Sequence, residues 1–280
     1  GLMQALENWQ GSAKLVDYRR VKWFGAWYMF EYRLLNMSKW WGAIVAFGLG
    51  NPILYLTSVG LGIGALINAG SPQGVDGVPY LIFLAPSLLA TAAIQTVMDE
   101  TMFPTTHGFV WAKVFYSINN SALTSRQIAN GVMLAALLRG ILTVVAYYAI
   151  MVMFGAIGVG AGLWSIVTGI FAGWAMGAAM LAMASHVEQD GGLYAIVGRF
   201  VIAPMFLFSG TFFPLSSLPI YLQWIGWISP LWHATDLGRY LSYNHPLDGW
   251  LIAVHFGFLL VVGLVGTWLA LKQYKRRLSR

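Results

Sequence analysis

The sequence predicts an all-α membrane protein with six transmembrane helices. Only 9% of its 280 residues are charged and 58% are hydrophobic, and the mean hydropathy is +0.67. A soluble domain carries about a quarter of its residues as charges, so most of this surface must face lipid. Apolar runs also recur six times along the chain, each close to the roughly 20 residues that a helix needs to cross a bilayer.

The apolar runs divide the chain into three parts. The predicted spans are residues 40–66, 80–98, 128–155, 161–184, 193–209 and 250–271. Residues 1–39 form a cytoplasmic N-terminus with an interfacial helix, residues 40–271 form the six-helix transmembrane domain, and residues 272–280 form a basic cytoplasmic tail.

The segment before the first span mixes aromatic residues with charges. Trp23, Phe24 and Trp27 lie among basic side chains, a composition typical of helices that lie along the inner membrane surface. Glu31 falls near the apolar stripe, so the amphipathic pattern is imperfect. This helix is either a simple anchor or a lever that moves with the first span.

Asn51 and Pro52 interrupt the first predicted span. Proline removes a backbone donor and bends a helix, and a break at membrane depth is tolerated where it is buried in protein or lines a cavity. The two interpretations are a packing kink and a break that lines a translocation path, for which Asn51 is a candidate residue.

Arg139 lies within the third predicted span. An arginine at membrane depth is costly and usually faces protein or water. It either touches substrate or an inner cavity, which makes it a second candidate for the translocation path, or it belongs to a structural ion pair or reaches a wetter inner vestibule.

The fourth predicted span carries small residues at every fourth position. These are Ser165, Gly169, Gly173 and Gly177. A spacing of four places them on one helix face, where small side chains let two backbones approach closely. The pattern predicts tight helix packing and gives no information about substrate.

Residues 210–249, between the fifth and sixth predicted spans, are apolar and aromatic but interrupted. The breaks are Pro214, Pro219, Pro230 and Pro246. They leave pieces too short to cross a bilayer, which predicts short re-entrant or interfacial helices. The tryptophans of this segment, Trp224, Trp227 and Trp232, suit the headgroup boundary.

Basic residues predict the orientation. With the N-terminus in the cytoplasm, all but two of the 16 Lys and Arg residues lie on the inner side. The exceptions are Arg139 within a span and Arg239 outside. Because excess positive charge stays cytoplasmic, both termini are predicted to be cytoplasmic. The basic pI of about 9.5 then reflects topology and anionic lipid rather than nucleic acid.

No motif of enzyme chemistry is present in the sequence. No lysine precedes Ser or Thr, so the chain lacks a phosphate-binding P-loop. It also has no His-Glu-x-x-His motif, no metal-spaced histidines and no cysteine. Asp99 and Glu100, the one adjacent acidic pair, are interpreted as a solvated helix end. No catalytic residue, metal or cofactor is expected on this chain.

The predicted inner loop between the second and third spans is rich in aromatic residues. Phe109, Lys113, Tyr116 and Asn120 fall on one face of a short helix, with Trp111 and Phe115 on an adjoining face. Exposed aromatic patches mark interaction sites, so this helix either docks in a groove of a cytosolic subunit or packs on its own bundle.

Several phrases of the chain together match one family in order and spacing. They are 51–64 (Asn-Pro-Ile-Leu-Tyr-Leu with a glycine-rich end), 80–86, the 111–128 loop, 209–214 (Ser-Gly-Thr-Phe-Phe-Pro), 218–219 (Leu-Pro) and 229–239 (Ser-Pro-Leu-Trp-His-Ala-Thr-Asp-Leu-Gly-Arg). The chain resembles the ABC type-2 permeases, in particular the nodulation-factor (NodJ-like) and daunorubicin-exporter (DrrB-like) membrane subunits, from about Tyr18 to Arg277. One departure is Ala122–Leu123, where the family has a small residue, proline and leucine. It leaves the exit of the loop helix undefined.

The resemblance implies two permeases, identical or sister chains, that work with two ATPase subunits. ATP and Mg would bind on those partners. The stretch from Phe109 to Asn120 would be the coupling helix, with Phe109, Trp111, Lys113, Phe115, Tyr116 and Asn120 as its contact residues. Its motion would pass to the first, second and fifth spans.

The resemblance also implies a cap on the exit side. The candidate outer gate comprises Phe213, Pro214, His233, Asp236 and Arg239. For the last three residues, local structural pairing is the alternative to substrate contact. The implied activity is export of an amphipathic, lipid-linked or drug-like substrate from the cytoplasm or inner leaflet of a bacterial inner membrane.

Two other function classes remain open. A gradient-driven secondary transporter usually carries acids within its spans and shows internal repeats, and neither is apparent in this sequence. A membrane subunit that only assembles or senses would show no such feature. The choice between an exporter subunit and these alternatives depends on a partner ATPase.

Overall fold

The computed structural model of the protein describes residues 18–120, 123–160, 162–189 and 192–279. Within these ranges the chain is helical and contains no β-strand, and the one extended pairing is an isolated bridge between Val75 and Val78. The predicted all-α fold class is thereby confirmed.

In the described ranges twelve α-helices follow one another with short connections. They are α1 (Tyr18–Ser38), α2 (Trp41–Tyr55), α3 (Gly64–Gly70), α4 (Tyr80–Thr106), α5 (Val114–Asn119), α6 (Ser125–Met153), α7 (Leu163–Ser185), α8 (Leu193–Val197), α9 (Ala203–Phe208), α10 (Ile220–Trp227), α11 (Pro230–Tyr243) and α12 (Gly249–Leu278). Three π-helical stretches, Leu56–Ile63, His107–Trp111 and Gly198–Ile202, extend them. The first and third stretches join α2 to α3 and α8 to α9, so each pair is one continuous helix.

Among the described residues, five helical segments are long and apolar enough to cross a membrane. They are Ile53–Gly70, Tyr80–Trp111, Ser125–Met153, Leu163–Ser185 and Gly249–Leu278. The fifth apolar run of the sequence forms only Tyr194–Phe208, which is shorter than 18 residues. At 1.5 Å per residue it falls short of a hydrocarbon core of roughly 30 Å. Five of the six predicted spans are thus matched by helices, and a crossing by the fifth run stays a prediction.

Helix α7 is the centre of the bundle and packs against α4, α6, α11 and α12. Its stripe of small residues faces α4: a Cβ added at Gly173 would lie 3.1 Å from the carbonyl oxygen of Ala93. On the opposite side, a Cβ at Gly266 of α12 would lie 2.7 Å from the backbone of Ala178. The predicted close approach of helices at the fourth span is confirmed.

Helix α1 packs along the first half of α6. A glycine of each helix makes room for a side chain of the other: Gly25 lies beside Gln127, and Gly131 lies beside Met29. Gln127 completes a capping box with Thr124 at the start of α6 and also donates from Nε2 to the Val21 carbonyl, at 2.6 Å. The position of α1 relative to the membrane surface stays a prediction, but its partner within the chain is α6.

The segment after α9 folds into short helices, as its prolines predict. Leu215–Ser217 is a 3-10 turn, and α10 and α11 follow it. Trp224 and Trp227 are exposed on α10, whereas Trp232 of α11 is half-buried. Helix α11 reaches α4 and α7, so this segment closes one end of the bundle. Its re-entrant placement in the membrane stays a prediction.

Candidate functional site

The predicted coupling helix consists of two pieces rather than one. Helix α4 continues through the π-helical turn His107–Trp111, and the chain then breaks at Ala112 and Lys113 before α5 begins. Lys113 has φ of 55°, a left-handed conformation that is uncommon for residues other than glycine. The break turns α5 back against the bundle.

Phe109 and Phe115 are buried inside this hairpin, with 2% and 1% of their surface exposed. Their rings meet edge to face with centroids 5.1 Å apart, and both pack on Tyr274 of α12. These two predicted contact residues therefore belong to the core of the chain and are not available to a partner.

The other predicted coupling residues remain at the surface. Trp111 is 48% exposed, Lys113 and Asn120 are exposed, and Tyr116 is half-buried. Lys113 and Tyr116 also line a polar cleft of about 650 Å³, which Glu188 after α7 and Arg277 of α12 help to form. The structure thus separates the predicted set into a buried support and an accessible rim.

The last helix holds the predicted coupling segment in place, a packing role that the sequence did not reveal. Tyr274 shares a 2.7 Å hydrogen bond with Thr105. The Arg277 guanidinium lies 4.2 Å from the centre of the Phe109 ring and donates to the carbonyls of Ser185 and Val187 at 3.0 and 2.7 Å. Residues 272–278, predicted as a tail, are therefore the final turns of α12.

A buried charge cluster joins three helices of the bundle. Glu100 of α4 accepts hydrogen bonds from Arg33 of α1, at 3.0 Å, and from Arg139 of α6. Glu100 is only 9% exposed, so its interpretation as a solvated helix end is wrong. For Arg139 the structural ion pair is present, and the residue also lines a cavity between α1, α2 and α6. Asn51 is exposed on α2 and does not line that cavity.

Arg239 is a structural clamp of residues 210–249, the segment between the fifth and sixth predicted spans. Its Nε donates to the Phe83 carbonyl at 3.1 Å, and its two Nη atoms donate to the carbonyls of Gly210 and Thr211 at 2.6 and 3.1 Å. The guanidinium stacks 3.6 Å from the centre of the Phe83 ring. Burial lowers the pKa of Arg239 to about 10, which leaves it charged at neutral pH. These contacts tie α11 to α4 and to the turn after α9.

His233 begins a buried chain of hydrogen bonds. Its Nε2 lies 2.7 Å from the Trp227 carbonyl and its Nδ1 lies 2.7 Å from Nδ1 of His255. The carbonyl only accepts, so His233 donates from Nε2 and accepts at Nδ1, consistent with a pKa that burial lowers to about 4. His255 then donates from Nδ1, and its Nε2 faces Asp236 Oδ2 at 2.7 Å.

A second set of polar side chains links the end of α11 and the residues after it to the loop after α3. Asp76 accepts from Tyr243 at 2.7 Å and pairs with His245 at 2.5 Å. His245 also lies 3.5 Å from Asp236. Burial raises the pKa of Tyr243, which keeps its hydroxyl protonated as the donor. The loop after α3, helix α11 and the residues that follow α11 are thereby joined.

The predicted gate residues converge only in part. Pro214, Asp236 and Arg239 line a cleft of about 430 Å³ together with Trp227. His233 is connected to it through hydrogen bonds by way of His255 and Asp236. Phe213 is half-buried and does not line the cleft. Asp76, His245 and His255 were missed by sequence reasoning. The signal for His255 was that it is the one ionisable residue in the sixth apolar run of the sequence, residues 250–271.

The described part of the chain contains no group of three or more His, Asp or Glu residues arranged to hold a metal ion. Its polar clusters consist of ion pairs and hydrogen bonds between helices. What these clusters do is fix the relative positions of helices at both ends of the bundle.

Comparison with known proteins identifies the family. Residues 26–243 match the model of the ABC-2 type transporter family. Nodulation protein J of Rhizobium leguminosarum bv. viciae is 28% identical over 253 residues, which cover 88% of this chain and 93% of that protein. Nodulation protein J of Sinorhizobium fredii is 27% identical over 274 residues, which cover 96% and 99%.

The match spans most of the described helices, from the middle of α1 to the end of α11. Members of the family are membrane subunits of ABC exporters, work with ABC ATPase subunits and are not themselves enzymes. The apolar helices agree with a multi-pass membrane protein. The chain therefore belongs to the ABC-2 type transporter family and is a NodJ-like permease.

Proposed function

We propose that this chain is the permease subunit of an exporter that moves an amphipathic, lipid-linked or drug-like substrate out of the cytoplasm or inner leaflet. ATP would be hydrolysed with Mg on separate ATPase subunits. The observation that carries the proposal is the rim of Trp111, Lys113 and Asn120, which is exposed although the segment beneath it is firmly packed.

The coupling route follows from the continuity of the helices. Because the π-helical turn His107–Trp111 extends α4, a push on the rim acts directly on the second span. Tyr274 and Arg277 provide a second route into α12. In this proposal the motion passes from the rim to α4 and α12. The resemblance had implied the first and fifth spans as further recipients instead of α12.

The assembly and the topology are part of the same proposal. A second permease, identical or sister, would pair with this chain in a bacterial inner membrane, with both termini cytoplasmic and membrane lipid around the bundle. The outer cleft lined by Pro214, Asp236 and Arg239 would then lie on the exit side. Its polar ties to Asp76 make it a gate that opens by separating α3 from α11.

The test is purification of the chain from its native membrane in mild detergent, with identification of co-purifying proteins and an ATPase assay. A stoichiometric partner with a P-loop and vanadate-sensitive hydrolysis would support the exporter proposal. A chain without a partner or hydrolysis, under conditions that preserve a known ABC complex, would favour a gradient-driven transporter or a non-transporting assembly subunit.

A further inference from the structure

A cavity of about 370 Å³ lies between the end of α1, the start of α2 and the middle of α6. Its walls are mostly apolar, and Arg139 is the only charged residue among those that line it. Trp41, Val45 and Leu142 line the same cavity and are 58%, 39% and 50% exposed. The cavity therefore opens at an apolar surface of the chain, which in a membrane protein is a surface that lipid can reach.

The charge cluster behind the cavity lacks hydrogen-bond acceptors. Arg33 and Arg139 share the single carboxylate of Glu100. The Nε atoms of both arginines are buried and find no acceptor among the described residues. A buried donor without a partner is unfavourable, particularly on a charged group. The Arg139 side chain nevertheless remains 28% exposed, so a further acceptor can reach it from the cavity.

Neighbouring charges do not remove this shortage. Asp99 lies close enough to attract Arg139, but its carboxylate accepts its hydrogen bond from Gln95, at 3.0 Å. Lys39, the residue after Ser38, is exposed but does not line the cavity. The site therefore combines the unmet N–H donor of Arg139 with an apolar wall.

We propose that this cavity binds an anionic phospholipid of the surrounding membrane. Its phosphate would accept from Arg139, and one acyl chain would lie along the apolar side chains of α2 and α6. Charge complementarity argues for an anionic headgroup, because Arg33 and Arg139 share the one carboxylate of Glu100 and a zwitterionic headgroup would bring a further cation to Arg139. The exposed apolar mouth argues for a molecule already in the bilayer. This site goes beyond the transport function, since binding requires neither an ATPase nor cargo.

The experiment is native mass spectrometry of the full chain in mild detergent, titrated with phosphatidylglycerol or phosphatidylcholine of identical acyl chains. We expect phosphatidylglycerol to bind preferentially and Arg139→Gln to reduce that preference about tenfold, the change expected from one charge-assisted hydrogen bond. Arg199→Gln, which removes the same charge from an exposed site, should leave it unchanged.

A second variant guards against misfolding of the charge cluster. Leu142→Trp fills the cavity without touching Glu100, and should lower phosphatidylglycerol binding while the thermal unfolding midpoint stays near that of the parent. Equal binding of the two lipids, or equal losses in Arg139→Gln and Arg199→Gln, would overturn the proposal.

The lipid that co-purifies from the native membrane distinguishes the possible occupants. An anionic phospholipid mass that Leu142→Trp displaces would support the assignment. A different anionic amphiphile at this position would overturn the phospholipid assignment and identify the cavity as an entry for cargo. Neither result depends on ATP hydrolysis, so failure here is separable from failure of the exporter proposal.

Discussion

Arg239 makes a set of hydrogen bonds that no other side chain could make in the same space. Its three nitrogens point to three separate carbonyls, which requires the planar fork of a guanidinium. Arg239→Lys retains the charge but leaves at least one buried carbonyl without a donor. We expect a loss of about 2–4 kcal/mol of stability, measured by thermal unfolding in detergent. Arg199→Lys, at an exposed position, is the matched control, and equal midpoints for both variants would contradict the clamp.

Burial of His233 is expected to make the stability of the folded protein depend on pH. Burial lowers its pKa to about 4 in the folded protein, from the ordinary value of 6.5, so between these values the unfolded chain binds more protons than the folded one. Stability contributed by the neutral histidine is present above pH 6.5 and is lost as the pH falls toward 4.

The variant His233→Gln tests this dependence. Glutamine can donate to the Trp227 carbonyl and accept from His255 without titrating. We expect the unfolding midpoint of the parent to fall more than that of the variant between pH 7 and 4.5. If the unfolding midpoints of the parent and the variant fell in parallel with pH, the prediction would be contradicted, since a group other than His233 would then cause the pH dependence.

At the scale of the element, the coupling segment combines a buried support with an exposed rim. Trp111→Ala is expected to weaken ATPase association or uncouple hydrolysis from transport, with permease stability changed by no more than about 0.5 kcal/mol. Phe109→Ala should instead cost about 3–5 kcal/mol of stability, because it empties a core position. Paired measurements of unfolding and of ATPase pull-down separate the two. The rim assignment fails if Trp111→Ala and Tyr116→Ala both bind and transport like the parent.

The contact between α4 and α7 sets the spacing of the bundle. At Gly173 a side chain would meet the backbone of Ala93, so Gly173→Leu must push the helices apart. We expect reduced yield and a broadened size-exclusion profile. Gly257→Leu on α12 adds the same side chain where an added Cβ meets no atom within 4 Å, and should purify normally. If the two variants behaved alike, the close approach would not matter for assembly.

At the scale of the whole molecule, the predicted topology is open to a direct test. The chain contains no cysteine, so single cysteines can be introduced without background. Ser217→Cys lies between the fifth and sixth predicted spans, on the side predicted to face outward, and should react with a membrane-impermeant maleimide in intact cells. Ser279→Cys at the end of α12 should react only after the inner membrane is permeabilised. Both positions are exposed, so a reversed pattern would reverse the orientation.

The spans and the charge bias could be predicted because hydropathy is a property of consecutive residues. Hydropathy was not sufficient for the fifth apolar run. Its composition is apolar, but its helix is shorter than a membrane span requires. For the coupling segment, periodicity placed Phe109 and Phe115 on candidate contact faces. The break at Lys113 turns both rings inward instead.

The sequence by itself determined that this is a membrane protein. It also determined the positions of the apolar helices along the chain and the catalytic motifs that the chain lacks, because all of these depend on local composition. Only the tertiary structure decided which polar groups meet. Glu100 pairs with residues 67 and 39 positions away, and Tyr274 with one 169 positions away. Such partners are set by the packing of distant helices, which a pattern along the chain does not encode, and they decide which side chains are left to face a partner, a lipid or a substrate.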